Sequence, residues 1–155
     1  TIRPFNTYGP RQSSRAVIPS VMAQLACGRP RIRIGSTSPV RDLNYVGDTV
    51  AGFLAVGASP RAVGQTLNVG SGRGVSIGEL VELIFQVTGR RAELVTDEAR
   101  VRPDASEVMV LLCDHRRATE LVGYAPRVPL EEGLARTFEY VERHLADYRP
   151  DEYAI

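Results

Sequence analysis

Three short segments of this sequence carry side chains that are suited to binding phosphate. Asn6 stands where a short apolar run ends, just before the Gly9-Pro10 turn. Arg41 lies in a second short run, and Arg102 stands in a later polar stretch. An amide can donate a hydrogen bond to a phosphate oxygen, and a guanidinium can donate two parallel ones. We therefore predict that these three residues form an anion site, in which Asp42 holds Arg41 in place.

Each of these residues also has a simpler interpretation. Asn6 could form an Asx turn before Gly-Pro. Arg41 and Asp42 could be a surface ion pair, which would contribute little to stability. Arg102 could belong to an ordinary solvated loop. Residue types alone leave both interpretations open for each segment.

The charge distribution favours an anionic ligand near the start of the chain. All 19 basic residues are arginines, seven of them lie within residues 1–41, and the first acidic residue is Asp42. The net charge of +1 therefore combines a front segment of about +7 with a remainder of about −6. Aromatic residues make up only 6% of the chain and the isoelectric point is near 7.8, which disfavours a nucleic-acid partner.

Several other chemistries are disfavoured by residue spacing. Cys27 and Cys113 have no paired spacing, so we predict two reduced, buried thiols and no disulfide. His115 and His144 lack a metal-like spacing, so no metal site is expected. No apolar run is long enough for a membrane span, and a cytoplasmic setting is expected.

The glycines of residues 70–74 suggest a dinucleotide-binding turn. The third glycine of that fingerprint would fall on Val75, however, which favours a flexible strand-to-helix turn.

The hydrophobic pattern predicts an α/β protein in which strands alternate with helices. At 155 residues the chain is expected to form a single portion without an internal linker. The predicted strands lie at 1–5, 32–34, 41–46, 66–69 and 92–95, with the first and fourth paired in parallel. The predicted helices lie at 16–26, from 48 onward, and at 76–89, 114–121 and 130–144, and the tail from 146 is expected to be irregular. The helix that starts at Asp48 is expected to be capped by Asp48 and to bury Val50, Phe53 and Leu54.

Three ordered motifs, read together, resemble the extended short-chain dehydrogenase/reductase family, the nucleotide-sugar epimerases and dehydratases. They are the segment from Arg3 to Gly9, the Arg41-Asp42 run that ends at Asp48, and Asn-Val-Gly-Ser-Gly at residues 68–72 before a helix. The run Asn-Thr-Tyr-Gly-Pro-Arg-Gln-Ser at residues 6–13 is most similar to the NAD-dependent UDP-N-acetylglucosamine 4,6-dehydratases. The resemblance covers the C-terminal half of that family, with a Rossmann-like fold whose N-terminal, NAD-binding half is missing.

The resemblance implies a role for each matching residue. Asn6, Arg41 and Arg102 would bind the diphosphate of a nucleotide sugar. Val17 and Ile18 would flank the nucleotide base, together with the backbone from Ile32 to Ile34. No catalytic residue is expected here, because the family's Tyr-x-x-x-Lys pair requires a lysine and this chain has none.

The resemblance also implies an activity for a longer protein. That protein would be an NAD-dependent 4,6-dehydratase of a UDP-sugar, working as a homodimer without nucleic acid or membrane. The alternatives are a 4-epimerase of the same family and a non-catalytic nucleotide-sugar-binding module. The present chain alone is expected to be inactive. It is also expected to self-associate or to fold only marginally, because it would expose an unpaired strand edge and an apolar face.

Overall fold

A computed structural model of the protein describes residues 1–101 and 107–148. The chain folds into two compact units, and each unit is assembled from three separate segments. Unit 1 comprises Thr1–Tyr8, Val40–Val75 and Val110–Leu130. Unit 2 comprises Gly9–Pro39, Ser76–Met109 and the chain from Glu131 onward. Both units contain parallel strand pairs and helices, which confirms the predicted α/β class.

The strands and helices follow one another in a mixed order. They are β1 (Ile2–Pro4), β2 (Asn6–Tyr8), α1 (Val17–Ala26), β3 (Arg31–Ile34), β4 (Val40–Tyr45), α2 (Val46–Ala58), β5 (Leu67–Val69), β6 (Gly74–Ser76), α3 (Ile77–Thr88), β7 (Glu93–Thr96), β8 (Val110–Leu111), α4 (Arg116–Val122), α5 (Leu130–Arg143) and α6 (Leu145–Tyr148). Short 3-10 turns occupy Pro60–Ala62 and Glu98–Arg100. None of the helices in the described residues has both the length and the apolar character needed to cross a bilayer.

Unit 1 is built on two groups of strands. β1 pairs in parallel with β5, as predicted, and the register places Ile2 opposite Leu67. β4 pairs in parallel with β2 and with β8, and β6 completes this second sheet. The apolar core lies beside β5, where side chains from the helices and loops pack together; its buried members are Ala62, Leu67, Val69, Ala118 and Tyr124.

Helix α2 differs from its prediction in which side chains it buries. Val50, Phe53 and Leu54 are about half exposed or more, at 52%, 47% and 69%. The buried positions are instead Asp48, Thr49 and Gly52. The helix approaches the core through its smallest residue: a Cβ atom on Gly52 would lie 2.7 Å from Val69 Cγ1. This close approach turns the larger apolar side chains outward.

Unit 2 has a two-stranded sheet covered by helices. In β3 the side chains of Ile32 and Ile34 are buried while those of Arg31 and Arg33 are exposed, which is the predicted alternation. β3 pairs in parallel with β7, and α1 packs against β3, α3 and α6. α3 lies where a helix was predicted. It begins with a capping box formed by Ser76 and Glu79, and it ends at Gly89 in the left-handed conformation.

Two further predictions need correction. Cys27 is exposed, because it lies at the C-terminal cap of α1 beyond the buried turns, whereas Cys113 is buried as expected. The chain from 146 was expected to be irregular, but residues up to Tyr148 are helical, and Tyr148 itself is buried. Residues 149–155 lie outside the described part. The short strands β6 and β8 were not predicted, because two or three residues carry no readable periodicity.

Replacing each of two glycines of α2 by alanine tests the close packing of this helix. Gly52→Ala places a methyl group against Val69 and is expected to lower the free energy of unfolding by about 1–3 kcal/mol. Gly57→Ala is the matched control, since its Cβ meets nothing within 4 Å, and it is expected to raise stability by up to about 0.5–1 kcal/mol. Urea unfolding measures both, and an equal effect of the two changes would contradict this packing.

Candidate functional site

Asn6 lies where the chain changes its strand partner. The N–H of Phe5 still donates to Val69 of β5, at 2.8 Å. The next residue, Asn6, begins the ladder with β4 and lies opposite Leu43. The side-chain nitrogen Nδ2 of Asn6 is buried and has no hydrogen-bond partner among the described residues. A buried amide without a partner costs about 1–3 kcal/mol, so an acceptor atom that reached this group would stabilise it.

Arg41 and Asn6 lie on the same face of the sheet. Successive side chains of a strand point to opposite faces, so Arg41 and Leu43 share a face. Because Leu43 is opposite Asn6, the amide and the guanidinium are neighbours on adjacent strands. The contact of Tyr8 with Tyr45, at 5.8 Å between ring centroids, confirms which side chains share this face. The half-buried Arg41 also donates through Nη1 to its neighbour's carbonyl, Val40 O, at 2.9 Å.

The expected role of Asp42 is wrong. Its side chain lies on the opposite face of β4 from Arg41 and is fully buried. The carboxylate accepts hydrogen bonds from the backbone N–H groups of Ser71 (2.7 Å), Gly72 (2.8 Å) and Cys113 (3.1 Å). A fourth comes from the Ser71 hydroxyl at 2.8 Å. Asp42 therefore holds the glycine turn and the segment after β8, and does not serve to hold Arg41.

The glycines of the turn allow the backbone to reach this carboxylate. A Cβ on Gly70 would lie 2.5 Å from Cys113 Cβ and 3.2 Å from Asp42 Oδ1. Gly72 has a φ of +73°, which glycine adopts at little cost. Successive N–H groups in such a turn form a concave anion site, and here the protein's own carboxylate occupies it. This explains why the turn resembles a dinucleotide-binding loop without having the full glycine fingerprint.

The face of β4 that carries Asp42 also carries a second buried polar side chain, Asn44. Asn44 donates to Thr49 Oγ1 at 2.9 Å and accepts from the Tyr124 hydroxyl at 3.2 Å. The Tyr124 hydroxyl also lies 3.0 Å from Gly70 O. Burial raises the pKa of Tyr124 to about 12, and the nearby Asp48 and Asp42 carboxylates add to the shift. Tyr124 is therefore a neutral hydrogen-bond donor at physiological pH and has a structural role.

Asp48 does not cap α2 as predicted. The cap position is Tyr45, and Asp48 lies in the first turn of the helix, where it is buried. Its Oδ2 atom accepts a hydrogen bond from Val128 N at 3.0 Å. A carboxylate in the first turn is favoured by the helix dipole, and here it also fixes the loop before α5.

A cavity of about 260 Å³ opens in unit 1 next to Leu43. Its walls come from β4, from the glycine turn and β6, and from the loop before α5. The nine lining residues are Leu43, Ser71, Arg73, Val75, Pro126, Arg127, Val128, Pro129 and Leu130. Arg73 and Arg127 were not among the predicted site residues. The available signal was their setting, since Arg73 lies inside the glycine turn and Arg127 lies between two prolines.

The remaining predicted site residues lie elsewhere. Val17 and Ile18 are at the start of α1 in unit 2, where Val17 is half-buried and Ile18 is buried. Ile32 and Ile34 have their side chains in the core of that unit, so a role in binding a base would fall to their backbone. Arg102 lies outside the described residues. Of the predicted set, unit 1 thus brings together Asn6 and Arg41, and the binding roles of all these residues stay predictions.

Comparison with known proteins identifies the family. The family described as GDP-mannose 4,6 dehydratase matches residues 1–137. The chain therefore belongs to this family of extended short-chain dehydrogenases/reductases, the nucleotide-sugar epimerases and dehydratases, and corresponds to its C-terminal half. The finer resemblance to UDP-N-acetylglucosamine 4,6-dehydratases stays a prediction.

Relatives with two different activities match almost equally well. The chain is 34% identical to UDP-glucose 4-epimerase of Mycolicibacterium smegmatis, over 90% of this chain and 44% of that protein. It is 33% identical to dTDP-glucose 4,6-dehydratase of Streptomyces griseus, over 94% of this chain and 43% of that protein. Its fold is similar to that of RMD from Pseudomonas aeruginosa in complex with NADPH, with a TM-score of 0.82, 28% identity, and coverage of 92% of this chain and 48% of that one. The chain spans less than half of the length of each.

The glycine turn does not fit the pyrophosphate of a nicotinamide cofactor. In the glycine turn, the N–H groups of Ser71 and Gly72 already donate to Asp42, so they are not available to a pyrophosphate. The chain also contains no lysine for a Tyr-x-x-x-Lys pair.

Replacing Asp42 by asparagine tests the buried carboxylate. The amide keeps one acceptor oxygen but points an NH₂ group at backbone donors, so the free energy of unfolding is expected to fall by roughly 3 kcal/mol. Glu120→Gln, on the exposed surface of α4, is the control and should change stability by less than about 0.5 kcal/mol. A similar small effect for both changes would show that the carboxylate is not needed.

The two cysteines should differ sharply in reactivity. Burial, with help from the Asp42 and Asp114 carboxylates, raises the pKa of Cys113 to about 12, so the thiol stays protonated at neutral pH. Because the thiolate is the reactive form, iodoacetamide should label the exposed Cys27 in the native protein and Cys113 only after unfolding. Mass spectrometry of the labelled peptides measures this, and equal native labelling rates would contradict the buried position of Cys113.

Proposed function

We propose that this chain is the substrate-binding part of an NAD-dependent nucleotide-sugar 4,6-dehydratase that acts on a UDP-sugar. The observation that carries the proposal is the buried Asn6 Nδ2 atom, which has no partner among the described residues and shares a sheet face with Arg41. A diphosphate oxygen would satisfy the amide, and the guanidinium would neutralise the phosphate charge. Arg102 would add a second guanidinium to the same diphosphate.

We propose UDP as the nucleotide on the basis of a relative's name. The name of the Mycolicibacterium smegmatis relative specifies a UDP-linked sugar. The base of such a ligand would lie against Val17 and Ile18 and the backbone from Ile32 to Ile34. The cofactor would be NAD, bound by polypeptide that this chain does not include, and the complete enzyme would be a homodimer that needs no nucleic acid or membrane.

The reaction would require groups outside this chain. In a 4,6-dehydratase, the sugar C4 hydroxyl is oxidised, water is eliminated across C5 and C6, and the hydride returns to C6. The role of the present residues is to hold the diphosphate and so fix the position of the sugar. A nucleotide-sugar 4-epimerase needs the same binding role, and the 34% identity to a 4-epimerase supports this second candidate.

Single substitutions test the diphosphate site. Asn6→Ala and Arg41→Gln are each expected to weaken UDP binding by about tenfold or more, because each removes a hydrogen bond to a charged oxygen. The matched controls are Asn68→Ala, whose amide donates to Asp114 O, and the exposed Arg61→Gln. Isothermal titration calorimetry on the four variants measures the affinities. Unchanged UDP affinity in both site variants would refute the site.

Product analysis distinguishes the reactions. The full-length protein with NAD and a UDP-sugar is expected to yield a 4-keto-6-deoxy sugar, which mass spectrometry identifies by the loss of water. A product of unchanged mass with inverted C4, seen by NMR, would indicate an epimerase instead. Binding without any product would indicate a non-catalytic module.

A further inference from the structure

The cavity beside Leu43 is lined mainly by apolar residues but also by two arginines. Six of its nine lining residues are apolar, namely Leu43, Val75, Pro126, Val128, Pro129 and Leu130. The other three lining residues are polar, namely Ser71, Arg73 and Arg127. None of the nine is acidic, and no carboxylate among the described residues pairs with either guanidinium. The buried Asp42 and Asp48 carboxylates behind the walls already accept hydrogen bonds from Ser71 N and Val128 N. The two guanidiniums are therefore the charged groups of the lining that can donate to an anion.

The two arginines come from loops that buried carboxylates fix in place. Asp42 binds the turn that carries Arg73, through Ser71 N and Gly72 N. Asp48 Oδ2 accepts from Val128 N, immediately after Arg127. Each cation therefore stands on a segment with a defined backbone position. A site with positioned walls loses less conformational freedom when a ligand binds than one made of free loops.

The dimensions limit the ligand. A volume of about 260 Å³ lies below the range of about 300–1,000 Å³ that is typical of sites for drug-sized molecules. The cavity therefore suits a single ring with its substituents rather than a whole nucleotide sugar. Apolar walls suit the C–H faces of a pyranose ring, and a planar guanidinium matches the two oxygens of a carboxylate.

We propose that this cavity binds a hexuronate, a pyranose ring with a carboxylate, through Arg73 and Arg127. The site is distinct from the Asn6 and Arg41 pair, and its occupation by a free sugar acid does not depend on the proposed function. Leu43 links the two places: it lines the cavity and lies opposite Asn6 on the neighbouring strand. The carboxylate can come from a free sugar acid or from the sugar of a nucleotide sugar.

The test is an NMR titration of the ¹⁵N-labelled protein with D-glucuronate and, separately, with D-glucose. Glucuronate is expected to shift the amide signals of Ser71, Arg73 and Val128, and glucose is expected to bind at least about tenfold more weakly. The double variant Arg73→Gln and Arg127→Gln should weaken glucuronate binding by about tenfold. Arg61→Gln is the control, because that exposed arginine does not line the cavity, and it should leave the affinity unchanged.

A second pair of ligands identifies the source of the carboxylate. If UDP-glucuronate binds more tightly than UDP-glucose and the difference disappears in the double variant, the cavity receives the sugar of a nucleotide sugar. If the two bind equally while free glucuronate still binds, it receives a separate sugar acid. Equal affinity for glucuronate and glucose, or full glucuronate affinity in the double variant, would overturn the proposal. UDP alone, titrated in parallel with Asn6→Ala, reports separately on the diphosphate site.

Discussion

The buried carboxylate of Asp42 is the constraint on which the organisation of unit 1 depends. A charge that is removed from water must be compensated, and this one accepts four hydrogen bonds from three residues. Those residues lie in two segments that are distant in sequence, the glycine turn at 70–72 and the chain that follows β8. One side chain of β4 thereby fixes two neighbouring segments, and the absence of a Cβ on Gly70 allows them to come close enough.

Successive side chains of β4 point to opposite faces. The buried, hydrogen-bonded side chains are therefore on one face, and the residues of the proposed binding site are on the other. On one face, Asp42 and Asn44 are buried and hold their neighbours through hydrogen bonds. On the other face, Arg41 and Leu43 lie beside the unpartnered amide of Asn6 and the cavity. Asp42 therefore holds neighbouring segments on one side of the strand, and Arg41 lies on the side of the proposed binding site. A shift of register by one residue would exchange them, and the ladder with β2 prevents that shift.

The sequence predicted those features that depend on local pattern. The strand at Ile32 and Ile34, the capped helix α3 and the parallel pairing of Ile2 with Leu67 follow from periodicity and turn residues. Asn6 and Arg41 were predicted to bind phosphate because an amide and a guanidinium stand in short strand-like runs. The resemblance of the motifs to a family supplied the rest of the functional prediction, and the family match confirms it at that level.

What the sequence could not predict depends on partners that are far apart along the chain. Asp42 stands next to Arg41, so a local interpretation pairs them, whereas strand geometry sends them to opposite faces. Phe53 and Leu54 have the spacing of a buried face, but Gly52 makes the closest contact and leaves them exposed. Arg73 and Arg127 meet at one cavity only because Asp42 and Asp48 fix their loops. Each case requires knowledge of tertiary contacts.

The most direct measurement is a crystal structure of the protein with a bound UDP-sugar. Our prediction is a diphosphate oxygen within about 3.2 Å of Asn6 Nδ2 and a second contact from the Arg41 guanidinium, with Asp42 still bound to the glycine turn. A nucleotide sugar bound with its diphosphate away from both side chains, leaving the Asn6 amide as it is now, would contradict it.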